Sequence, residues 1–386
     1  MRGALTEKGW PDLRGRPVAD AIAAGLHVDE LPAPVLVLHE DAVAHNIAAM
    51  AAWCERERML LAPHGKTTMA PQLFARQLDA GAWAITVATV QQARVAVAAG
   101  APRIVIANQL ADPAEVRWAA EQGAEALFLV DSLAGVELAQ AALDGAGPQR
   151  VLLEVGYEGG RAGARSEAEA LAVARAVADA PGLRLAGVEA FEGLLTTVAD
   201  VDALLERLAA IAHSLASAGL LDHEPLVSAG GSAFYDRVSA VLKPVADALG
   251  GRLLLRSGCY VTHDHGLYAR QSPGPDRLPG GPRFEPAIEV RARVLSRPEP
   301  RRAILGAGRR DVSYDSDLPV RLDGPGRIVA LNDQHAYLEL PADAELAVGD
   351  LVRLGISHPC TALERWRLIP LVDGSGRVVD AIATCF

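Results

Sequence analysis

From residue 34 onward, a short β-branched run followed by a longer stretch of helical period recurs eight times, and this alternation limits the fold more than anything else in the chain. The runs are VLVL (35–38), MLLA (59–62), AITV (84–87), RIVIA (103–107), ALFLV (126–130), VLLEV (151–155), RLAGVEA (184–190) and PLVSAGG (225–231). Ala-, Leu- and Arg-rich segments of 3.6-residue period lie between them. Eight βα units in a row predict an α/β fold built on a closed (β/α)8 TIM-like barrel. A doubly wound open sheet is the alternative that the same pattern allows.

The rhythm ends after RLLLRSGCY (252–260). QSPGPDRLPGGPRFEP (271–286) reads as a linker or surface loop because Pro and Gly dominate it. Alternating strands follow, from AIEVRARVL to RVVDAIA, with turns such as DGPG and DGSG, which predicts an all-β C-terminal domain. The expected division is a barrel over residues 34–268 and a β domain formed by residues 1–33 with 269–386.

Composition narrows the classes of function. Half of the 386 residues are hydrophobic, as in a soluble globular enzyme, and the net charge of -11 argues against a nucleic-acid partner. No apolar run is long enough to span a bilayer. The opening MRGALTEKGWPDLRGRP lacks the apolar core of a signal peptide, so a cytoplasmic location is expected. The scattered Cys54, Cys259, Cys360 and Cys385 read as reduced thiols, most of them small buried residues.

Barrels of this kind place their chemistry in loops at the carboxyl ends of the strands. Four such loops or turns stand out. His64-Gly65-Lys66-Thr67-Thr68 places one of only three lysines beside an apolar run. A lysine at a barrel mouth is partly desolvated, which frees its amine to attack an aldehyde; a plain surface lysine is the other reading. Arg161 lies among glycines in EVGYEGGRAG, where its guanidinium could reach an anionic oxygen or simply be solvated. Ser228-Ala229-Gly230-Gly231-Ser232 offers amides and hydroxyls just before a helix, a composition suited to phosphate. Ser357-His358-Pro359-Cys360, read as extended, puts His358 and Cys360 on one side, an imidazole and a thiolate that suit zinc. Two protein ligands leave open positions for substrate, and a chance His with a buried Cys is the competing reading.

Together PHGKT, GGRAG, SAGGS and SHPC, in this order, resemble the D-serine dehydratase and D-threonine aldolase family, fold type III pyridoxal-phosphate enzymes with an alanine racemase-like barrel. The resemblance runs from about residue 33 to the end and is nearest to bacterial D-serine deaminase-like proteins. It implies that Lys66 carries pyridoxal phosphate as a Schiff base and that Lys66 and His64 are the catalytic residues. It places Arg161 near the cofactor's phenolic oxygen and Gly230, Gly231 and Ser232 on the phosphate, and makes Ser228 and Tyr260 cofactor-binding residues as well. It makes His358 and Cys360 the zinc pair. The dehydratases carry His-x-Cys and the threonine aldolases His-x-Asp, so Cys360 points to loss of a β-hydroxyl from a D-amino acid, giving a 2-oxo acid and ammonia. Where dehydratases commonly show Lys-Thr-His or Lys-Thr-Ser, this chain has Lys66-Thr67-Thr68. The family implies a homodimer. Retro-aldol cleavage is the first alternative and a non-catalytic cofactor-binding barrel the second. A racemase would need a second base, which the sequence does not supply.

Overall fold

The computed structural model describes residues 7–386 apart from 14, 123, 124, 144 and 146. Strand β1 (Val35–His39) opens the chain's ordered sheets. It is followed by eight parallel strands: β2 (Leu60–Leu61), β3 (Ile85–Val87), β4 (Arg103–Gln109), β5 (Glu125–Val130), β6 (Gln149–Glu154), β7 (Leu183–Glu189), β8 (Leu226–Ala229) and β9 (Arg252–Leu255). Neighbours pair in the order β2-β9-β8-β7-β6-β5-β4-β3. The two end strands meet through a bridge between His64 and Thr86, supported by Trp83 N to Leu61 O at 2.7 Å and Thr86 N to Pro63 O at 2.9 Å. This curls the sheet into the expected TIM-like barrel.

Small and branched side chains fill the barrel's interior. Ala62, Ala84, Val105, Leu127, Leu152, Ala186, Leu226 and Leu254 form one buried cluster, a packed core and not a pore. Helices cover the outside, and their starts are written locally. The helix Val198–Ser217 begins where Thr197 Oγ1 accepts from Asp200 N at 3.2 Å, satisfying one of the amides a helix start leaves free.

One strand departs from the sequence reading. VLVL is not the first barrel strand: β1 runs antiparallel to β10 (Ile288–Glu299) and parallel to the strand Leu368–Val372 in the second, mostly C-terminal sheet. The barrel's eighth strand is instead RLLL, so SAGGS follows the seventh. Residues 35–38 are buried on both faces, and a run buried on both faces looks the same in either sheet.

Barrel and second sheet are tied by packing and by polar contacts. Asn46 Nδ2 donates to Glu285 O at 2.8 Å, and Leu73 and Val261 of the barrel half join the buried cluster around Val290 and Leu354. Glu289, at the centre of the second sheet, is 1% exposed and faces Arg353 at 2.6 Å, Arg291 at 2.8 Å and His39 at 3.3 Å. Burial alone would raise its carboxyl, but His39, Arg353 and Arg291 outweigh this and hold it well below the usual range. A depressed acid stabilises the fold above its unfolded value, about 4.3, and that contribution fades as pH falls toward the folded value. Glu289→Gln is expected to lower the unfolding free energy by about 3 kcal/mol at neutral pH. Urea titration should show the gap to wild type narrowing as pH falls below 4; a constant gap would contradict the assignment.

Candidate active site

One cavity of about 420 Å³ opens at the carboxyl ends of the barrel strands. His64, Lys66 and Arg161 line it, as do Gly230, Gly231 and Ser232. His358 and Cys360 reach the same cavity from the second sheet. Residues nearly 300 positions apart therefore share one space.

Lys66 sits in the single 3-10 turn Gly65–Thr67 that follows β2. Gly65 makes the turn possible, because a Cβ there would meet the Phe74 ring at 2.7 Å. Lys8 pairs with Asp311 and Lys243 with Asp247. Among the described residues, the Lys66 ammonium makes no hydrogen bond or ion pair. His64 Nδ1 is buried with no hydrogen-bond partner, and burial together with the cationic Lys66 and Arg256 holds the imidazole neutral, well below its usual pKa. Arg161 lies over the Phe191 ring at 5.2 Å with its guanidinium in the cavity wall.

The glycine loop differs from an open cradle. Gly230 N and Gly231 N donate to the buried Glu192 carboxylate at 3.1 and 2.6 Å, so these amides do hold an anionic group, supplied by the chain. Ser232 Oγ accepts from Cys259 N at 3.0 Å. Ser228 does not reach the cavity. It lies inside β8, where its hydroxyl donates to Leu254 O at 3.0 Å and accepts from Arg256 Nη1 at 2.5 Å. Tyr260 also misses: it is 2% exposed, packs against Phe284 and accepts from Gln77 Nε2 at 2.9 Å. The neighbouring helix supplies Tyr268 to the cavity wall in its place.

Arg256 and Glu189 form a buried ion pair at 2.5 Å in the floor of the cavity. Burial raises the Glu189 carboxyl to about 7; Arg256 opposes the rise, and the nearby Glu154 adds to it. Neither residue was singled out from sequence, because a buried carboxylate in a strand carries no local signature.

The SHPC segment is not extended. His358 has φ 62, the left-handed region, and caps the short helix Pro359–Leu363 that carries Cys360. A non-glycine residue held there stores strain of about 1–3 kcal/mol and needs support. Asp264 gives it: its Oδ2 accepts from His358 N at 2.9 Å, while its Oδ1 accepts from Gly266 N and Tyr268 N. Asp315 Oδ2 lies 2.5 Å from His358 Nδ1, and its Oδ1 accepts from Thr361 Oγ1 at 2.7 Å. A carboxylate on Nδ1 directs Nε2 outward as a lone-pair donor. Cys360 Sγ donates to Thr67 Oγ1 at 3.4 Å and lies 3.5 Å from Cys259 Sγ. That contact draws the Cys259 thiol down to about 6 against its burial. Among the described residues, no three His, Cys, Asp or Glu side chains group to hold a metal; His358 and Cys360 share the cavity wall.

Comparison with known proteins gives the family. Residues 38–242 match the family described as alanine racemase, N-terminal domain, and residues 287–372 match the "Putative serine dehydratase domain". D-threonine aldolase of an Arthrobacter species is 30% identical over 358 residues, 90% of each chain. The crystal structure of D-threonine aldolase from Filomicrobium marinum superposes with a TM-score of 0.81 at 27% identity, covering 93% of this chain and 97% of that one. A cysteine-to-alanine mutant of D-threo-3-hydroxyaspartate dehydratase, in the metal-free form, superposes at 0.75 with 25% identity over 93% and 99%. The chain belongs to the fold type III, alanine racemase-like family of pyridoxal-phosphate enzymes, in the group that includes D-threonine aldolase and D-threo-3-hydroxyaspartate dehydratase. It is a lyase of that family. Among the described residues, no helix is long and apolar enough to cross a membrane.

Proposed function

We propose that the chain eliminates the β-hydroxyl of a D-amino acid, D-serine or a 3-hydroxyaspartate-like relative, to give a 2-oxo acid and ammonia, using pyridoxal phosphate and zinc. The observation that carries this is the contact between Thr67 and Cys360, which sets the turn bearing the unpartnered Lys66 directly against the His358–Cys360 pair. A base and a Lewis-acid site then face one substrate carbon pair. Among the described residues His64 Nδ1 lacks a hydrogen-bond partner and the Lys66 ammonium makes no ion pair; these groups and the Arg161 guanidinium stacked on Phe191 line the cavity and fit the cofactor. A related dehydratase described in a metal-free form supports a metal.

Pyridoxal phosphate supplies an electron sink for the pair left at Cα, and zinc supplies Lewis acidity toward the leaving hydroxyl. The chain does the rest. Lys66 Nζ takes the Cα proton, general-base catalysis worth about 10²–10⁴-fold. His358 Nε2 and Cys360 Sγ present the metal donors, with Asp315 fixing the imidazole. Water exclusion falls to Phe191, Leu194 and Tyr268 at the wall. Zinc as the metal and a homodimer belong to the same proposal, as do a cytoplasmic location and the two-unit division at 34–268 and 1–33 with 269–386, with β1 assigned to the second unit.

The 30% identity to a D-threonine aldolase favours a second reading, retro-aldol cleavage in the same cavity. D-threonine separates the two. The proposal expects 2-oxobutanoate and ammonia; glycine and acetaldehyde as the main products would replace elimination with cleavage.

A further inference from the structure

Cys259 and Cys360 bring their sulfur atoms to 3.5 Å from elements 101 residues apart in sequence. One is in the turn Cys259–Val261 at the barrel mouth, the other in the helix Pro359–Leu363 of the second sheet's unit. Gly258 allows this, since a Cβ there would collide with the His64 backbone and push the turn outward. Thr67 Oγ1 lies beside the sulfur pair, 3.5 Å from Cys259 and 3.4 Å from Cys360, and both cysteines line the cavity. A disulfide holds its sulfurs at about 2.05 Å, so an approach of roughly 1.5 Å from the 3.5 Å contact is needed to close the bond. The cavity admits a small oxidant to both. Cys54 is buried in the barrel core, and Cys385 lies near the end of the chain.

We propose that Cys259 and Cys360 form a reversible disulfide, a modification site inside the cavity that withdraws the Cys360 sulfur from metal binding. With a peroxide as oxidant, one sulfur attacks a peroxide oxygen, the O–O bond breaks, and a sulfenic acid and one water form. The second sulfur then displaces the hydroxyl as another water and closes the S–S bond. The two thiols give up two electrons and two protons, and hydrogen peroxide becomes two waters. A dithiol reductant returns both thiols. The cross-link stands on the geometry; its effect on metal rests on the proposed role of Cys360.

The test uses the wild-type chain, stripped of metal, treated with hydrogen peroxide, alkylated and mapped as unreduced peptides. The expected product joins the Cys259 and Cys360 peptides, is reversed by dithiothreitol, and leaves Cys54 and Cys385 alkylated. Both cysteines alkylated after oxidation, or Cys360 joined to Cys385, would overturn the proposal. Zinc at ten times its Kd should slow the cross-link about tenfold. An unchanged rate would remove the metal role of Cys360 and leave the disulfide standing. Cys259→Ser should abolish the link and keep zinc content; if zinc is lost with it, Cys259 is a metal ligand and the redox reading is withdrawn.

Discussion

Lys66→Ala is expected to abolish imine absorbance with pyridoxal phosphate and to lower kcat at least about 10³-fold, the combined loss of the covalent anchor and the base. The expectation rests on exclusion as much as on position. Lys8 is held by Asp311 against Trp366, and Lys243 by Asp247 on a helix. Neither lines the cavity, so no other lysine can take over the linkage. Borohydride reduction of the wild-type holoenzyme should fix the cofactor's mass on the peptide containing Lys66, a readout independent of turnover. Imine absorbance in Lys66→Ala, with circular dichroism unchanged, would sink the central assignment. Arg161 would still line the cavity in that variant, so a moderate drop in cofactor affinity beside a large drop in rate is the expected pattern.

The sequence carried the barrel because its information is local: each β-branched run and each amphipathic stretch declares itself over a few residues. VLVL shows the limit of that information. Buried on both faces, it satisfies the pattern of a barrel strand and of a central strand in the second sheet, and only pairing with β10 and the strand Leu368–Val372 decides. PHGKT was legible for a similar reason, since a lysine after a buried strand is chemically odd wherever it lies. Ser228 and Tyr260 lie off the cavity by the scale of one residue. Each sits in a motif that touches the cavity, but a strand alternates its faces and a 3-10 turn points successive side chains in different directions. Asp264, Asp315 and Arg256 were not legible, because each acts through a partner brought close only by the fold. Glu192 was hidden in the same way: nothing in AFEGLL announces that its carboxylate will occupy the Gly230 and Gly231 amides.

Removing the metal donors should give the second large effect. His358→Ala is expected to take zinc content from about one per chain to near zero and to reduce elimination about 10²–10⁴-fold, since Lewis-acid stabilisation of a leaving oxygen contributes several kcal/mol and each 1.36 kcal/mol is tenfold in rate. Chelation of the wild type should have the same effect, reversed by added zinc. Activity that survives chelation would remove the metal from the reaction, whatever Lys66 does. Asp315 sharpens the test. It touches His358 Nδ1 and Thr361, not the cavity floor, and its carboxyl is held below the usual range because those two contacts outweigh its partial burial. Asp315→Asn can still accept a hydrogen bond at Nδ1 but no longer presents a charge, so zinc affinity should fall about 10–100-fold while saturating zinc restores most of kcat. A structural role alone would lower stability and leave zinc affinity untouched. Loss in affinity with recovery at saturation identifies Asp315 as the group that orients the imidazole, and makes the strained His358 backbone, pinned by Asp264, the price of aiming one ligand across the gap between barrel and sheet.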